Sequence, residues 1–110
     1  MPAQERPDQP ASVLPSDAVI LDVREPDEWA AGHIETAVHI PIGAVTRRMG
    51  DIPQGDPLYV ICRSGSRSAR VAGFLRAQGI GAVNVADGMK GWASAGKPMT
   101  SDTGRNPQVI

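Results

Sequence analysis

Several features that would assign a function class at once are scarce or missing in this sequence. Only one of the 110 residues is a cysteine, two are histidines, and 4% are aromatic. One thiol cannot form an internal disulfide, a Cys-x-x-Cys redox pair or a cysteine-rich zinc site. We therefore expect no metal and no other cofactor, and the single cysteine, Cys62, fits the reducing cytoplasm best.

Charge and hydropathy exclude two further classes. Eleven Lys and Arg oppose twelve Asp and Glu, which gives a net charge of -1, so no nucleic-acid partner is expected from bulk charge. No apolar run approaches the roughly 18 residues of a membrane-spanning helix, so no membrane partner is expected either. A chain of this length with 41% hydrophobic residues is typical of one globular domain with one core.

Composition divides the chain into three parts. Residues 1–10 are polar and proline-rich, without the apolar stretch of a secretory signal, which predicts a disordered N-terminal tail. Residues 11–99 carry the patterns of a folded domain. Residues 100–110 are polar again and predict a C-terminal tail, with an added docking strand as the alternative.

Short β-rich runs alternate with helical patterns within residues 11–99. The runs are apolar on both faces, which is typical of a parallel sheet with helices on both sides. We therefore predict an α/β fold with a mostly parallel central sheet. The predicted strands are 18–23, 37–40, 58–61 and 82–85, with helices at 26–31, 42–49 and 66–78 and a final turn at 89–95.

The segment after the third predicted strand concentrates reactive and anion-binding groups. Cys62 opens a seven-residue stretch with two arginines, three serines and a glycine, which leads into a predicted helix. Such loops, at the carboxyl ends of parallel strands, turn their amides toward anions. We predict that Cys62 is the catalytic nucleophile, with a pKa below that of a free thiol. The predicted anion cradle comprises Arg63, Ser64, Gly65, Ser66, Arg67 and Ser68.

Five short motifs occur along the chain in a characteristic order. They are LDVRE at 21–25, GHI at 32–34, AVHIP at 37–41, CRSGSRS at 62–68 and GMKGW at 88–92. Together they resemble the single-domain rhodaneses, the thiosulfate sulfurtransferase family, over about residues 16–98. The resemblance implies a rhodanese-like domain in which Cys62 takes a sulfane sulfur from thiosulfate or a similar donor. The resulting persulfide would pass the sulfur to cyanide or a thiol.

The resemblance also places Asp22 and Arg24 near the entrance of the active site as supporting residues. They would either orient the loop and the donor or form a salt-bridged scaffold for the neighbouring loops, and we favour the scaffold. Three departures from the family pattern concern packing. Thr36 stands where many relatives have glycine, and Asp87-Gly88 stands where a Gly-Gly pair is common. The segment before Ala18 is short and proline-broken, which predicts a truncated opening helix.

Two alternative functions stay open at this point. A Cys-based phosphatase or arsenate reductase uses a C-x5-R loop, whereas Arg67 follows Cys62 by five positions and Ser68 occupies the sixth. The other alternative is a persulfide-relay or regulatory module, which would hand sulfur to an acceptor protein with little turnover of small molecules.

Overall fold

Four parallel strands form the sheet at the centre of the molecule. The computed structural model describes residues 7–110. The strands are β1 (Val19–Asp22), β2 (Val38–His39), β3 (Leu58–Ile61) and β4 (Ala82–Asn84), and their order across the sheet is β2-β1-β3-β4. Every pair of neighbours in this sheet runs parallel, so the predicted α/β class is confirmed.

Three α-helices accompany the strands: α1 (Pro26–Ala31), α2 (Ser66–Ala77) and α3 (Gly88–Ser94). α1 begins with a proline in its first turn, where the fixed φ suits a helix, and Glu25 and Glu28 form a reciprocal capping box. One short helix is predicted over 42–49, and the structure divides this region in two. Two 3-10 helices (Ile42–Ala44 and Thr46–Asp51) occupy this region, because glycine and β-branched residues there support an α-helix poorly.

Apolar side chains cover both faces of the sheet. Leu21 and Val60 belong to one buried cluster, which includes Leu75 of α2. Ile20 and Ile61 belong to a second cluster, which includes Trp92 of α3. Because successive side chains of a strand point to opposite faces, the helices lie on both sides of the sheet, as predicted.

Both ends of the described chain hydrogen bond to the domain. Within the predicted tail 1–10, residues 1–6 lie outside the described part. Gln9 donates to the Asn84 carbonyl at 3.0 Å along the edge of β4. In the segment 100–110, Thr100 and His33 exchange two backbone hydrogen bonds of 2.8 Å. The boundaries at residues 11 and 99 stay a prediction.

Within residues 7–110, no helix has the length and apolar character that crossing a bilayer requires.

Candidate active site

Cys62 immediately follows the last residue of β3, at the carboxyl edge of the sheet. The loop is short, because α2 already begins at Ser66. The Cys62 residue is only 1% exposed and belongs to the apolar cluster that includes Leu21 and Leu75. The thiol therefore has apolar neighbours on one side and the loop on the other.

Hydrogen-bond donors of the loop converge on the sulfur. The N–H of Gly65 donates to Cys62 Sγ at 3.1 Å, and Ser68 Oγ lies 3.3 Å from the same atom. The backbone amides of Ser64 and Ser68 also lower the pKa of the thiol. Burial raises the pKa of the thiol, but these donors together outweigh that effect, so the pKa of Cys62 lies below its usual value. The arrangement favours a thiolate, the nucleophilic form of cysteine.

Two glycines with positive φ let the loop pack closely against its surroundings. Gly65 has φ 103°, and a Cβ there would collide with the backbone oxygen of Ala86. Gly88 has φ 59°, and a Cβ there would lie 2.5 Å from the backbone oxygen of Arg63. The start of α3 holds the loop as well, because the Met89 amide donates to the carbonyl of Cys62 at 2.8 Å. The backbone around the sulfur is thus fixed from two directions.

Asn84, at the end of β4, is a site residue that sequence reasoning missed. It is buried, and its Oδ1 lies 2.5 Å from Ser68 Oγ. Its Nδ2 donates to the Gly65 carbonyl at 3.2 Å and to Asp8 Oδ2 at 3.0 Å. An amide between two valines in a buried strand was the available signal, since buried polar groups need partners.

The two arginines of the predicted cradle are engaged with distant parts of the chain. Arg67 donates two hydrogen bonds of 2.8 Å to the carboxylate of Glu28 on α1. These bonds are the main reason that the pKa of Glu28 falls to about 2, and the carboxylate in turn raises the pKa of Arg67. Arg63 Nε donates to the backbone oxygen of Ile110 at 2.9 Å. Sequence reasoning did not identify Glu28 as a partner of the loop.

The remaining hydroxyls of the predicted cradle differ in position. Ser68 is fully buried beside the sulfur, whereas Ser64 and Ser66 are exposed. The backbone amide of Ser64 contributes to the lowered pKa of Cys62. Ser66 is the first residue of α2.

Asp22 and Arg24 form an ion pair with no solvent exposure of either side chain, and their closest atoms are 2.7 Å apart. The same guanidinium donates to the backbone carbonyls of Glu28 at 3.1 Å and Gly32 at 2.8 Å. The pair therefore ties the end of β1 to both ends of α1. These contacts favour the scaffold interpretation, in which the pair acts on the site by holding the helix that carries Glu28.

Asp87, which stands where the family commonly has a glycine, bonds to a residue near the N-terminus. Asp87 Oδ1 accepts a 2.8 Å hydrogen bond from the amide of Ala11. Ala11 begins a single 3-10 turn (Ala11–Val13), which occupies the place expected for an opening helix. The carboxylate thus connects the 3-10 turn at Ala11–Val13 to the loop before α3.

Comparison with known proteins adds to this geometry. The rhodanese-like domain family matches residues 5–95. The chain belongs to the rhodanese-like family. Its sequence is 36% identical over 89 residues to a sulfurtransferase of Allochromatium vinosum, which covers 80% of this chain and 83% of that relative. The resemblance inferred from the motifs is therefore confirmed.

Two further rhodanese-like comparisons concern length and fold. A Bacillus subtilis protein, YrkF, whose name gives it as a candidate sulfur carrier, is 45% identical over 74 residues; the match covers 66% of this chain but only 40% of YrkF. The crystal structure of a rhodanese-related protein from Thermoplasma volcanium superposes with a TM-score of 0.79 at 31% identity, over 86% of this chain and 98% of that one. The rhodanese fold is thus established for this chain.

Proposed function

We propose that this rhodanese-like protein is a sulfurtransferase. It moves a sulfane sulfur from thiosulfate or a similar donor to a thiophilic acceptor, cyanide or a thiol, through a persulfide on Cys62. The observation that carries the proposal is the Cys62 sulfur at the end of β3, with the Gly65 amide at 3.1 Å and Ser68 Oγ at 3.3 Å. The relative named as a sulfurtransferase supports it.

The first step loads the cysteine. The thiolate of Cys62 attacks the outer sulfur of the donor, a new S–S bond forms, and the S–S bond of the donor breaks. With thiosulfate, sulfite leaves with the electron pair of the broken bond. The loop amides that stabilise the thiolate then stabilise the persulfide anion that replaces it.

The second step removes the transferred sulfur from Cys62. Cyanide or a thiolate attacks the outer sulfur of the persulfide, the cysteine leaves as thiolate, and thiocyanate or a new persulfide is released. No second cysteine is required, because the acceptor itself resolves the intermediate. That agrees with a chain whose only cysteine is Cys62.

The arginines of the loop have a role in this scheme when the sulfur donor is an anion. Arg63 and Arg67 lie in the same short loop as the nucleophile, and the charge on Arg67 interacts with that on Cys62. A guanidinium stabilises the sulfonate end of a thiosulfate ion by charge-assisted hydrogen bonds. Arg67 must then share its N–H donors between the sulfonate and Glu28, which already accepts two of its hydrogen bonds.

The test is the intact mass of the protein before and after thiosulfate treatment. Wild-type protein should gain one sulfur atom and lose it when cyanide is added. Cys62→Ser is the matched control, because it changes one atom and leaves no other thiol. A mass gain in Cys62→Ser, or none in the wild type, would contradict the proposal.

A persulfide relay is the second candidate. The relative YrkF, whose name gives it as a candidate sulfur carrier, supports it. Isolation of Cys62 persulfide with a bound acceptor protein, together with negligible thiocyanate formation, would select the relay.

The phosphatase alternative has less support. Only three residues separate Cys62 from the start of α2, which leaves little loop backbone to surround a phosphate ester. A cytoplasmic location stays a prediction from the single cysteine.

A further inference from the structure

The hydroxyl of Ser68 lies between two groups that can each accept its proton. Ser68 Oγ is 3.3 Å from Cys62 Sγ and 2.5 Å from Asn84 Oδ1. All three residues are at least 97% buried. A serine hydroxyl has one proton, so Ser68 cannot donate to the sulfur and to the amide oxygen at the same time.

The orientation of Asn84 follows from its other neighbours. Its second polar atom lies 3.2 Å from the Gly65 carbonyl and 3.0 Å from a carboxylate oxygen of Asp8. A carbonyl only accepts hydrogen bonds, and so does an ionised carboxylate. The atom that faces them must therefore be the NH2 group, and the atom that faces Ser68 must be the amide oxygen.

The protonation state of Cys62 decides where the Ser68 proton goes. When Cys62 is a thiol, its S–H can donate to Ser68 Oγ, and the hydroxyl donates onward to Asn84 Oδ1. When Cys62 is a thiolate, the sulfur needs donors, and the hydroxyl must turn from Asn84 to the sulfur. Ionisation of the thiol thus breaks the Ser68–Asn84 hydrogen bond.

We infer that Asn84 is a positioning residue that competes with Cys62 for the hydroxyl proton of Ser68, and thereby holds back ionisation of the nucleophile. The inference deepens the proposed function, since it concerns the same thiol. A residue of β4, outside the Cys62 loop, thus sets the fraction of Cys62 that is ionised.

The decisive measurement is the pH midpoint of iodoacetamide alkylation of Cys62, which requires no sulfur transfer. Asn84→Leu keeps the number and the branching of the side-chain heavy atoms and removes the amide oxygen. The midpoint should fall by about 0.5 to 1 pH unit, the equivalent of one ordinary hydrogen bond. If Asn84 merely supports the loop, its loss loosens the Gly65 amide and the midpoint rises. A rise or no change would therefore overturn the inference.

A double-variant cycle tests the route through the hydroxyl. In a Ser68→Ala background no proton is contested, so Asn84→Leu should leave the midpoint unchanged to within about 0.3 pH unit. A full shift in that background would contradict the competition. Asp8→Ala is the matched control, because it removes an exposed partner of Asn84 and leaves the bond to Ser68 in place. At high salt its midpoint should stay close to that of the wild type.

The charged groups on the surrounding elements stay in place in Asn84→Leu, and Asp8 is the one among them that loses a hydrogen bond, an effect that the Asp8→Ala control measures. These charged groups are Asp8, Asp22, Arg24, Glu28, Arg63 and Arg67.

A measurement on the wild type guards against variants that do not fold. Raman spectroscopy detects the S–H stretch, and this band reports Cys62 alone because the chain has one cysteine. At a pH below the alkylation midpoint, the band should lie at the lower frequency of an S–H that donates a hydrogen bond. A band at the frequency of a free S–H would overturn the inference. Loss of persulfide formation with an intact Asn84 effect would instead count against the proposed function alone.

Discussion

Glu28 is predicted to restrain the reaction with thiosulfate while it stabilises the fold. Its carboxylate accepts both hydrogen bonds of the Arg67 pair, at 2.8 Å each. Glu28→Gln removes the negative charge and keeps the size of the side chain. Arg67 then has an uncompensated positive charge in the loop of Cys62, so a dianionic donor should react more readily while the protein unfolds more easily.

The magnitude follows from the pKa of Glu28. That pKa falls from 4.5 to about 2, chiefly because Arg67 donates to the carboxylate. A shift of this size corresponds to roughly 3 kcal/mol at full strength, but pairs that solvent reaches contribute about 1 kcal/mol. We therefore expect Glu28→Gln to lower the free energy of unfolding by about 1 kcal/mol. If the freed guanidinium stabilises the bound donor by the same amount, kcat/KM for thiosulfate rises about fivefold.

The pH dependence of this stabilisation has a definite sign. Since the folded-state pKa of Glu28 lies below its usual value, the folded protein binds this proton less tightly than the unfolded chain. The contribution of Glu28 is therefore complete above about pH 4.5 and is lost as the pH falls toward 2. The difference in unfolding free energy between wild type and Glu28→Gln should shrink over the same window.

The assays are urea unfolding and initial rates of thiocyanate formation from thiosulfate and cyanide. Asp27→Asn is the matched control, because it removes an exposed acid from the same first turn of α1. An unchanged or lower kcat/KM in Glu28→Gln would refute the reasoning. An equal increase of kcat/KM in Asp27→Asn would also refute it, because the effect would then follow from the loss of any negative charge on α1.

Two further changes test the frame around the site. Gly65→Ala places a Cβ against the backbone of Ala86 at φ 103°; urea unfolding should show a loss of at least about 2 kcal/mol, together with slower alkylation of the thiol. Gly79→Ala, also at positive φ but with open space around the added atom, should cost only about 1 kcal/mol. Arg24→Met leaves Asp22 buried without its partner and should cost about 3 to 5 kcal/mol in the same assay.

The outcomes that would contradict these two predictions are distinct. Equal losses in Gly65→Ala and Gly79→Ala would mean that contact with Ala86 does not constrain the loop. For the ion pair, the double change Asp22→Leu with Arg24→Met should recover most of the loss, since no charge is then left buried. A double variant as unstable as Arg24→Met would show that the damage comes from the broken bonds to α1.

Local patterns predicted the elements that present the nucleophile. β3 spans Leu58–Ile61 and α1 spans Pro26–Ala31, as predicted. In both, the signal is local in the sequence. The strand is a β-rich apolar run, and the helix begins at a proline and is followed by a glycine. The region 42–49 carried no comparably strong signal, and two 3-10 helices form there instead.

The amino-acid order alone identified a thiol before a short, glycine-containing loop, and with it the family. The partners of that loop come from far along the chain. Glu28 and Arg67 are 39 positions apart, Arg63 and Ile110 are 47, and Asp8 and Asn84 are 76. No local periodicity encodes such pairs, because they depend on which strand ends and helices the parallel sheet brings to one edge. The tertiary structure therefore decided how the arginines are compensated and which side chain contests the proton of Ser68.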